Sequence, residues 1–315
     1  MKKTFKFLGK LLLVLLVLIV CAGLYIQIKG IPSYKTEEIK FVVHSTPETI
    51  ARGEKLAKVL CANCHLNEET GQLTGKFMRD APEEFGTIYS ANITNDKTHG
   101  IGNWTDGEIV YLLRTGIKRD GKYAPPYMAK LPTMADEDIN AILSFLRSDH
   151  PYVKANSTPT IPVEPSFLTK FLTNTVFKPF PYPKEKIPMP DEDNPIELGK
   201  YLTHNLDCFS CHSADFKTNN FLEPDKSPGY FGGGNKLLTM EGEVILSSNL
   251  TPDKETGLGN WSKEKFRNAL KSGIVEVQIA LRYPMVPYID LTDKEVDAIY
   301  TYLQTLPAIK NEIPR

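Results

Sequence analysis

Hydrophobic and polar positions fall into three patterns along this chain. The first is a single long apolar run. Four lysines within the first ten residues precede an almost unbroken apolar stretch from Leu11 to Ile28, interrupted only by Gln27. Such a stretch, coiled as a helix at about 1.5 Å per residue, covers about 27 Å and just spans a bilayer. The second pattern is amphipathic. Over Met134–Leu146 and again over Leu291–Leu303, apolar residues recur at i, i+3, i+4 and i+7, which predicts helices with one buried face. Helix starts are marked by Thr46-Pro47 and Asn194-Pro195, by Thr105 with Glu108, by Ser262, and by Thr292 with Glu295. The third pattern is broken by proline: ten of the 45 residues from Pro151 to Pro195 are proline, a composition of extended chain. Within it Phe167, Leu168, Phe171, Leu172, Val176 and Phe177 fall at helical spacing. They predict one short helix that packs on a folded domain or on a membrane surface. No stretch alternates long enough to read as an extended strand.

The amphipathic segments belong to a unit written twice. Asn92-Ile-Thr94-Asn-Asp96 through Gly100-Ile-Gly102-Asn-Trp104 matches Asn249-Leu-Thr251-Pro-Asp253 through Gly257-Leu-Gly259-Asn-Trp261 at an offset of 157 (249 minus 92). The closing helices keep that offset. Each unit therefore runs helix, cysteine motif, loops, helix.

Those motifs are Cys61-Ala-Asn-Cys64-His65 and Cys208-Phe-Ser-Cys211-His212, two copies of C-x-x-C-H. This is the spacing of a c-type haem attachment site. Two thiols one short turn apart can each form a thioether to one porphyrin, and the next residue places an imidazole under the iron. Two covalently bound haems c follow, with His65 and His212 as proximal ligands. A zinc site would bring its C-x-x-C pairs together, whereas these lie 147 residues apart (208 minus 61) and each is followed at once by His. A thioredoxin-like redox pair needs a βαβ context, which is missing.

A second axial ligand separates an electron carrier from an oxygen or peroxide enzyme. Met128 and Met285 are related by the repeat offset (285 minus 128 is 157), and both sit in proline-rich loops, Pro125-Pro126-Tyr127-Met128 and Tyr283-Pro284-Met285-Val286-Pro287. A thioether favours reduced iron and raises the potential. Met128 and Met285 are therefore the candidate distal ligands, with Met78, Met134 and Met240 in reserve. His44, His99, His150 and His204 offer His/His ligation instead, but none occupies matching positions. His204, one turn before Cys208, is placed to touch a haem propionate. The matched tryptophans read as core residues or propionate donors. Asn92, Asn249, Thr94 and Thr251 read as loop-fixing residues. Gly232-Gly233-Gly234 lacks the ending of a phosphate loop and suits close backbone approach beside the haem.

Composition adds a compartment and removes a class of partner. A formal net charge of -1 and a pI near 6.6 lack the basic footprint of nucleic-acid binding. Four of the five cysteines are claimed by the haem motifs, and Cys21 lies in the apolar run. The lysines before that run place the short tail in the cytoplasm and everything after Lys29 on the far side of the inner membrane. The run exceeds a usual signal-peptide core and no A-x-A-like site follows it, so a retained single-pass anchor is expected rather than a cleaved signal. Bulky Val20 before Cys21 speaks against lipidation there.

At these residues the chain resembles a family: membrane-anchored dihaem c-type cytochromes similar to the cytochrome c subunits of periplasmic alcohol, gluconate and sorbitol dehydrogenases. The family phrase Asn-[Ile/Leu]-Thr-Pro-Asp-x-x-Thr-Gly-[Ile/Leu]-Gly-x-Trp stands nearly unaltered from Asn249 to Trp261, and from Asn92 to Trp104 with Asn95 for the proline. A Gly-rich loop and a Pro-Met loop are matched by Gly232–Asn235 and Pro284-Met285, whereas the first unit offers Tyr127 before Met128 and no Gly-Gly pair. The third C-x-x-C-H of three-haem members is absent. The resemblance implies a mostly α protein in which an N-terminal transmembrane helix precedes two tandem cytochrome c-like haem domains joined by a Pro-rich linker. The expected divisions are an anchor over 1–29, a linker over 30–45, a first cytochrome c domain over 46–150, the Pro-rich linker over 151–190, a second cytochrome c domain over 191–310 and a tail over 311–315. The implied role is electron transfer in the periplasm, without catalysis, from a dehydrogenase or quinol toward a terminal oxidase. A cytochrome subunit of a haem-copper oxidase and a dihaem peroxidase are the alternatives.

Overall fold

The computed structural model describes residues 2–276 and 279–314. Helix α1, Lys2–Lys29, is the apolar run: from Thr4 onward it is long and apolar enough to cross a membrane, its most apolar stretch has no buried residue, and its end meets α6 near Gly23 and Gln27. A signal sequence shares this length and composition.

The first unit opens with α2, Pro47–Ala57, whose Thr46 cap accepts from the Thr49 backbone N–H at 3.2 Å. The helix continues through a π-helical stretch, Lys58–Ala62, into α3, Asn63–His65. Long loops lead to α4, Asp106–Thr115, and α5, Asp136–Leu146. The Pro-rich segment carries α6, Phe167–Thr175. The second unit repeats the plan with α7, Pro195–Asn205; α8, Cys208–His212; α9, Lys263–Ser272; and α10, Asp293–Leu303. Strands are two or three residues long among the described residues and form three antiparallel pairs, including the hairpin of Lys236–Leu238 with Val244–Leu246. The architecture is mostly helical.

Capping chemistry explains where these helices start. Thr105 with Glu108 and Thr292 with Glu295 form complete capping boxes, and Ser262 accepts from Lys265 N–H at 3.1 Å. Ala135, at the place of Thr292, makes no side-chain cap.

In each unit the opening helix crosses the closing one at a glycine. A Cβ on Gly53 would stand 1.8 Å from the Ala141 carbonyl oxygen, and one on Gly199 would stand 2.0 Å from that of Ala298. Ala141 and Ala298 are repeat equivalents, so one close backbone contact frames both units. Around it Ile139, Ile142, Leu143 and Phe145 fill the first core, and Val296, Ile299 and Leu303 the second.

The Pro-rich segment is extended but not loose. Asn92 Nδ2 donates to the carbonyls of Asn156 and Thr158, and Glu164–Pro165 pairs with Gly86–Thr87. Phe180 N–H bonds Thr115 O at 3.1 Å and Asp136 N–H bonds Ile187 O at 2.8 Å. Proline supplies few donors, so side chains and neighbouring loops fasten this segment over the first unit.

Candidate functional site

Helical backbone puts each cysteine pair and its histidine on one side of a single turn, because positions i, i+3 and i+4 share a face. The two units reach this differently. In the first, the π-helical stretch carries Cys61 and runs without interruption into Cys64 and His65. In the second, α7 ends and Asp207 turns left-handed, φ 63°, before Cys208 starts α8. Asp is one of the few residues that tolerates this conformation.

Histidine orientation is then set by matched carbonyls. His65 Nδ1 bonds Ala91 O at 2.7 Å and His212 Nδ1 bonds Ser248 O at 2.8 Å. Ala91 and Ser248 stand 157 residues apart (248 minus 91), so the bond is part of the repeat. A carbonyl only accepts; Nδ1 therefore carries the proton, and Nε2 keeps its lone pair. Burial lowers the pKa of both imidazoles and keeps them neutral, as ligation requires. Burial also pushes the thiols up, to about 12 for Cys61, Cys208 and Cys211 and about 11 for Cys64. None of these cysteines is in a disulfide. Four neutral sulfurs in apolar surroundings suit an uncharged thioether link and would disfavour a thiolate-bound metal.

Behind each motif lies a glycine cradle. Gly233 N–H donates to His212 O at 2.7 Å, and a Cβ there would meet Ser247 O at 2.6 Å. Gly75 does the same in the first unit: its N–H donates to His65 O at 2.9 Å, and a Cβ would meet Ser90 O at 2.2 Å. Both have positive φ, 83° and 70°. The first unit thus has the cradle without a Gly-Gly pair. Sequence reasoning passed over Gly75 because the second unit is longer between His212 and Gly233, which shifts the repeat offset from 147 to 158.

Asn92 and Asn249 fix the loops that follow. Each side-chain oxygen accepts from both the backbone N–H and the hydroxyl two residues on, at 2.9 and 2.7 Å, with Thr94 and Thr251 fully buried. Their amides tie the loop to the segment beyond the closing helix, Asn156 and Thr158 in one unit and Ile309 in the other. Trp104 and Trp261 pack half-buried against the cores, with Arg119 and Lys265 over their rings.

The methionine loops share one frame. Met128 N–H closes on Pro125 O at 3.1 Å and Met285 N–H on Arg282 O at 3.0 Å, again repeat equivalents. Two further matched bonds, Ala124 N–H to Gly116 O with Leu131 N–H to Leu113 O, and Leu281 N–H to Gly273 O with Tyr288 N–H to Leu270 O, strap the loops to the ends of α4 and α9. Met285 packs against the core and Met128 is half-buried. Met134 is fully buried in the first core, and Met240 is exposed on the hairpin. His204 bonds Tyr230 Oη, which pairs with Tyr302 Oη at 2.8 Å, and packs edge-on against Phe209. His44 is exposed and bonds through its backbone to Asn140.

Residues beside the two haem-motif cysteines Cys61 and Cys208 face one another across one interface. A narrow cavity between the units is lined by Leu60, Lys130 and Thr133 on one side and by Asn205, Asp207 and Phe209 on the other, so residues flanking Cys61 and Cys208 share it. Across the same interface Tyr283 Oη donates to Asp80 Oδ2 at 2.6 Å, and both groups lie near Cys64. Tyr201 Oη donates to the buried Asp138 carboxylate at 2.6 Å, and Arg52 pairs with that carboxylate and with Glu192. Lys55 of α2 reaches Glu295, and Lys58, which opens the π-helical stretch, reaches Asp290.

Comparison with known proteins agrees with this arrangement. The cytochrome c family profile matches residues 50–149 and 196–307. The fructose dehydrogenase cytochrome subunit of Gluconobacter japonicus is 31% identical over 277 residues, covering 82% of this chain and 53% of that protein. The gluconate 2-dehydrogenase cytochrome c subunit of Pantoea cypripedii is 30% identical over 272 residues, covering 82% and 60%. The chain thus spans little more than half the length of these relatives. A diheme cytochrome c-type protein of Cereibacter sphaeroides is 27% identical over 291 residues, covering 85% of this chain and 92% of that protein. With two matched domains, two motif histidines held alike and a dihaem relative of similar length, the chain belongs to the cytochrome c family and is an electron-transfer protein with two covalently bound haems c.

Proposed function

We propose that the chain is a membrane-anchored dihaem relay on the periplasmic face, taking electrons from a dehydrogenase or quinol and passing them toward a terminal oxidase. The observation that carries this reading is the pair of equivalent histidine–carbonyl bonds in two matched cytochrome c domains. Haem c supplies reversible one-electron exchange at iron. In this reading Cys61 and Cys64 would hold the first haem and Cys208 and Cys211 the second. His65 and His212 would ligate iron through Nε2, their Nδ1–H groups fixed by Ala91 and Ser248. Met128 and Met285 would supply the second ligand of each haem, and the bonds that strap their loops would hold the sulfurs in place. With a histidine and a methionine given to each haem, the chain would leave no open position for a substrate. The similarity to cytochrome subunits of fructose and gluconate dehydrogenases supports an alcohol- or sugar-oxidising donor. The lysine-led α1 supports a retained anchor with the haem units on the far side.

The test is isolation of the intact complex from membranes, followed by addition of the partner's substrate. Both haems should become reduced, and the reduced protein should leave carbon monoxide unbound. Carbon monoxide binding with peroxide turnover would replace the relay by a peroxidase. Co-purification with a copper-containing membrane subunit instead of a dehydrogenase would make it an oxidase subunit.

A further inference from the structure

Helix α6 is turned inside out for a helix in water. Its inner face carries hydroxyls: Ser166 caps it by accepting from Thr169 N–H at 3.2 Å and donates to Glu84 O, Thr169 donates to Phe85 O at 2.7 Å, and Thr173 is fully buried. Its outer face carries Phe167, Leu168 and Phe171, each 40–48% exposed, followed by Val176 at 60%. Phe167 and Phe171 stack on one another at 6.3 Å. An amphipathic helix normally turns its apolar stripe inward, so an apolar stripe facing outward marks a surface that something else covers.

Its neighbour indicates what. Phe167 reaches Gly23 of α1, Lys170 Nζ lies 3.2 Å from Gln27 Oε1, and Asn174 Nδ2 donates to Gly30 O at 2.9 Å. These are the last two turns of α1, where a span beginning at Leu11 has used its apolar length and reaches the headgroups. Tyr25, 63% exposed, sits at that level with Lys29 over its ring, as interfacial aromatics and lysines do. The apolar stripe of α6 therefore continues the apolar surface of α1 around the corner.

We propose that α6 lies in the outer headgroup layer of the phospholipid bilayer, with Phe167, Leu168 and Phe171 in lipid. It rests on the retained anchor described above. Bonded to Glu84 and Phe85, α6 would hold the first haem unit on the membrane at a fixed tilt, together with the bonds of Tyr34 N–H to Gly121 O and Tyr123 N–H to Pro32 O that fasten the segment after α1. A membrane-surface contact needs only a few buried apolar groups when a spanning helix already supplies affinity.

The test uses the full-length holoprotein, with Cys21→Ser, reduced and reconstituted in phosphatidylethanolamine–phosphatidylglycerol vesicles. Nitroxide labels are placed singly at Phe171→Cys, Leu168→Cys, Leu15→Cys and Glu241→Cys. Relative accessibility to oxygen over a water-soluble nickel chelate is then measured. The α6 labels should favour oxygen by about threefold or more over Glu241, and Leu15 should favour it more strongly still. Labels at positions 171 and 168 that match Glu241, with Leu15 in lipid, overturn the α6 contact while the anchor stands. A mature chain lacking residues 1–28 overturns both. If the α6 labels enter lipid-like surroundings only when a partner protein is added, the stripe is a protein interface and the bilayer assignment falls.

Discussion

Substituting Gly199 by alanine tests the frame on which the second site is built. A Cβ there would stand 2.0 Å from Ala298 O, 2.6 Å from Ala298 C and 2.7 Å from Tyr302 Cβ. Ordinary contact needs about 3.4 Å, so α7 and α10 must part by about 1 Å or more. The obstacle is backbone inside a helix and cannot rotate away. Overpacking costs about 1–3 kcal/mol, and a clash with backbone belongs at the upper end. Parting also loosens Leu202, Val296, Ile299 and Leu303, which are buried around the crossing. A loss of about 3 kcal/mol lowers the melting temperature of a unit this size by roughly 12–24 °C. Calorimetry on the full holoprotein should show one of two transitions moved by that amount. Because α7 leads into Cys208 and α10 follows the Met285 loop, the second haem's spectrum should change as its iron loses the methionine at lower temperature. Lys200→Ala, on the exposed side of the same helix, should cost less than about 0.5 kcal/mol. A Gly199→Ala protein melting within about 2 °C of the parent would refute the reasoning. Gly53→Ala should repeat the effect in the first unit.

Met285→Ala should lower one midpoint potential by on the order of 0.1 V or more and open that iron to imidazole; an unchanged titration would remove Met285 from the site. Asp80→Asn removes a negative charge beside Cys64 and should raise the first haem's potential by tens of mV, about the scale of a solvent-screened unit charge, whereas equal potentials before and after would detach Asp80 from that haem. Tyr283→Phe, which strips the carboxylate of its donor, should shift it the other way. His204 has a pKa lowered to about 4, first by burial and then by Lys200. The unfolded chain binds this proton near pH 6.5, so the contribution is fully present above 6.5 and is lost as pH falls through 4, up to about 3 kcal/mol. Denaturant midpoints between pH 4 and 6.5 should flatten in His204→Phe, and an unaltered slope would show that other groups carry it.

The duplicated chemistry was legible wherever it rests on residue type. C-x-x-C-H, the caps at Thr46, Thr105, Ser262 and Thr292, and the loop-fixing asparagines announce themselves by side chain, because only those side chains can make the bonds. What stayed hidden is made by backbone or by distant pairing. Ala91 and Ser248 orient the histidines through their carbonyls, which any residue could supply. Gly75 has no adjacent glycine to flag it. The anchoring of residues 151–194 to the first unit also escaped, since proline content reports stiffness and not where a stiff segment lies. For α6, spacing gave the helix, but its side of contact depended on Thr169 and Thr173 outcompeting the aromatics for the inner face.

The inter-unit surface is specified by direction more than by apolar area. Asp138 is buried, and its charge is tolerable only because Arg52 from its own unit and Tyr201 from the other both reach it. Tyr201 Oη also accepts from Ala135 N–H at 3.1 Å, which fixes the phenol against the backbone at the start of α5. A sliding apolar contact would leave many registers nearly equal in energy; a carboxylate with two required donors leaves few. Electron transfer falls steeply with separation, so a relay needs its two sites held at one distance. Tyr201→Phe removes a single hydroxyl from a half-buried ring and should barely change either unit's own fold. It leaves Asp138 short of a donor, at a cost of about 1–3 kcal/mol charged to the interface alone. The expected signature is therefore selective: potentials unchanged, unit melting unchanged, and inter-haem equilibration slowed and dispersed. Uniform equilibration in Tyr201→Phe would mean that apolar packing and the Lys55 and Lys58 ion pairs suffice to hold the register.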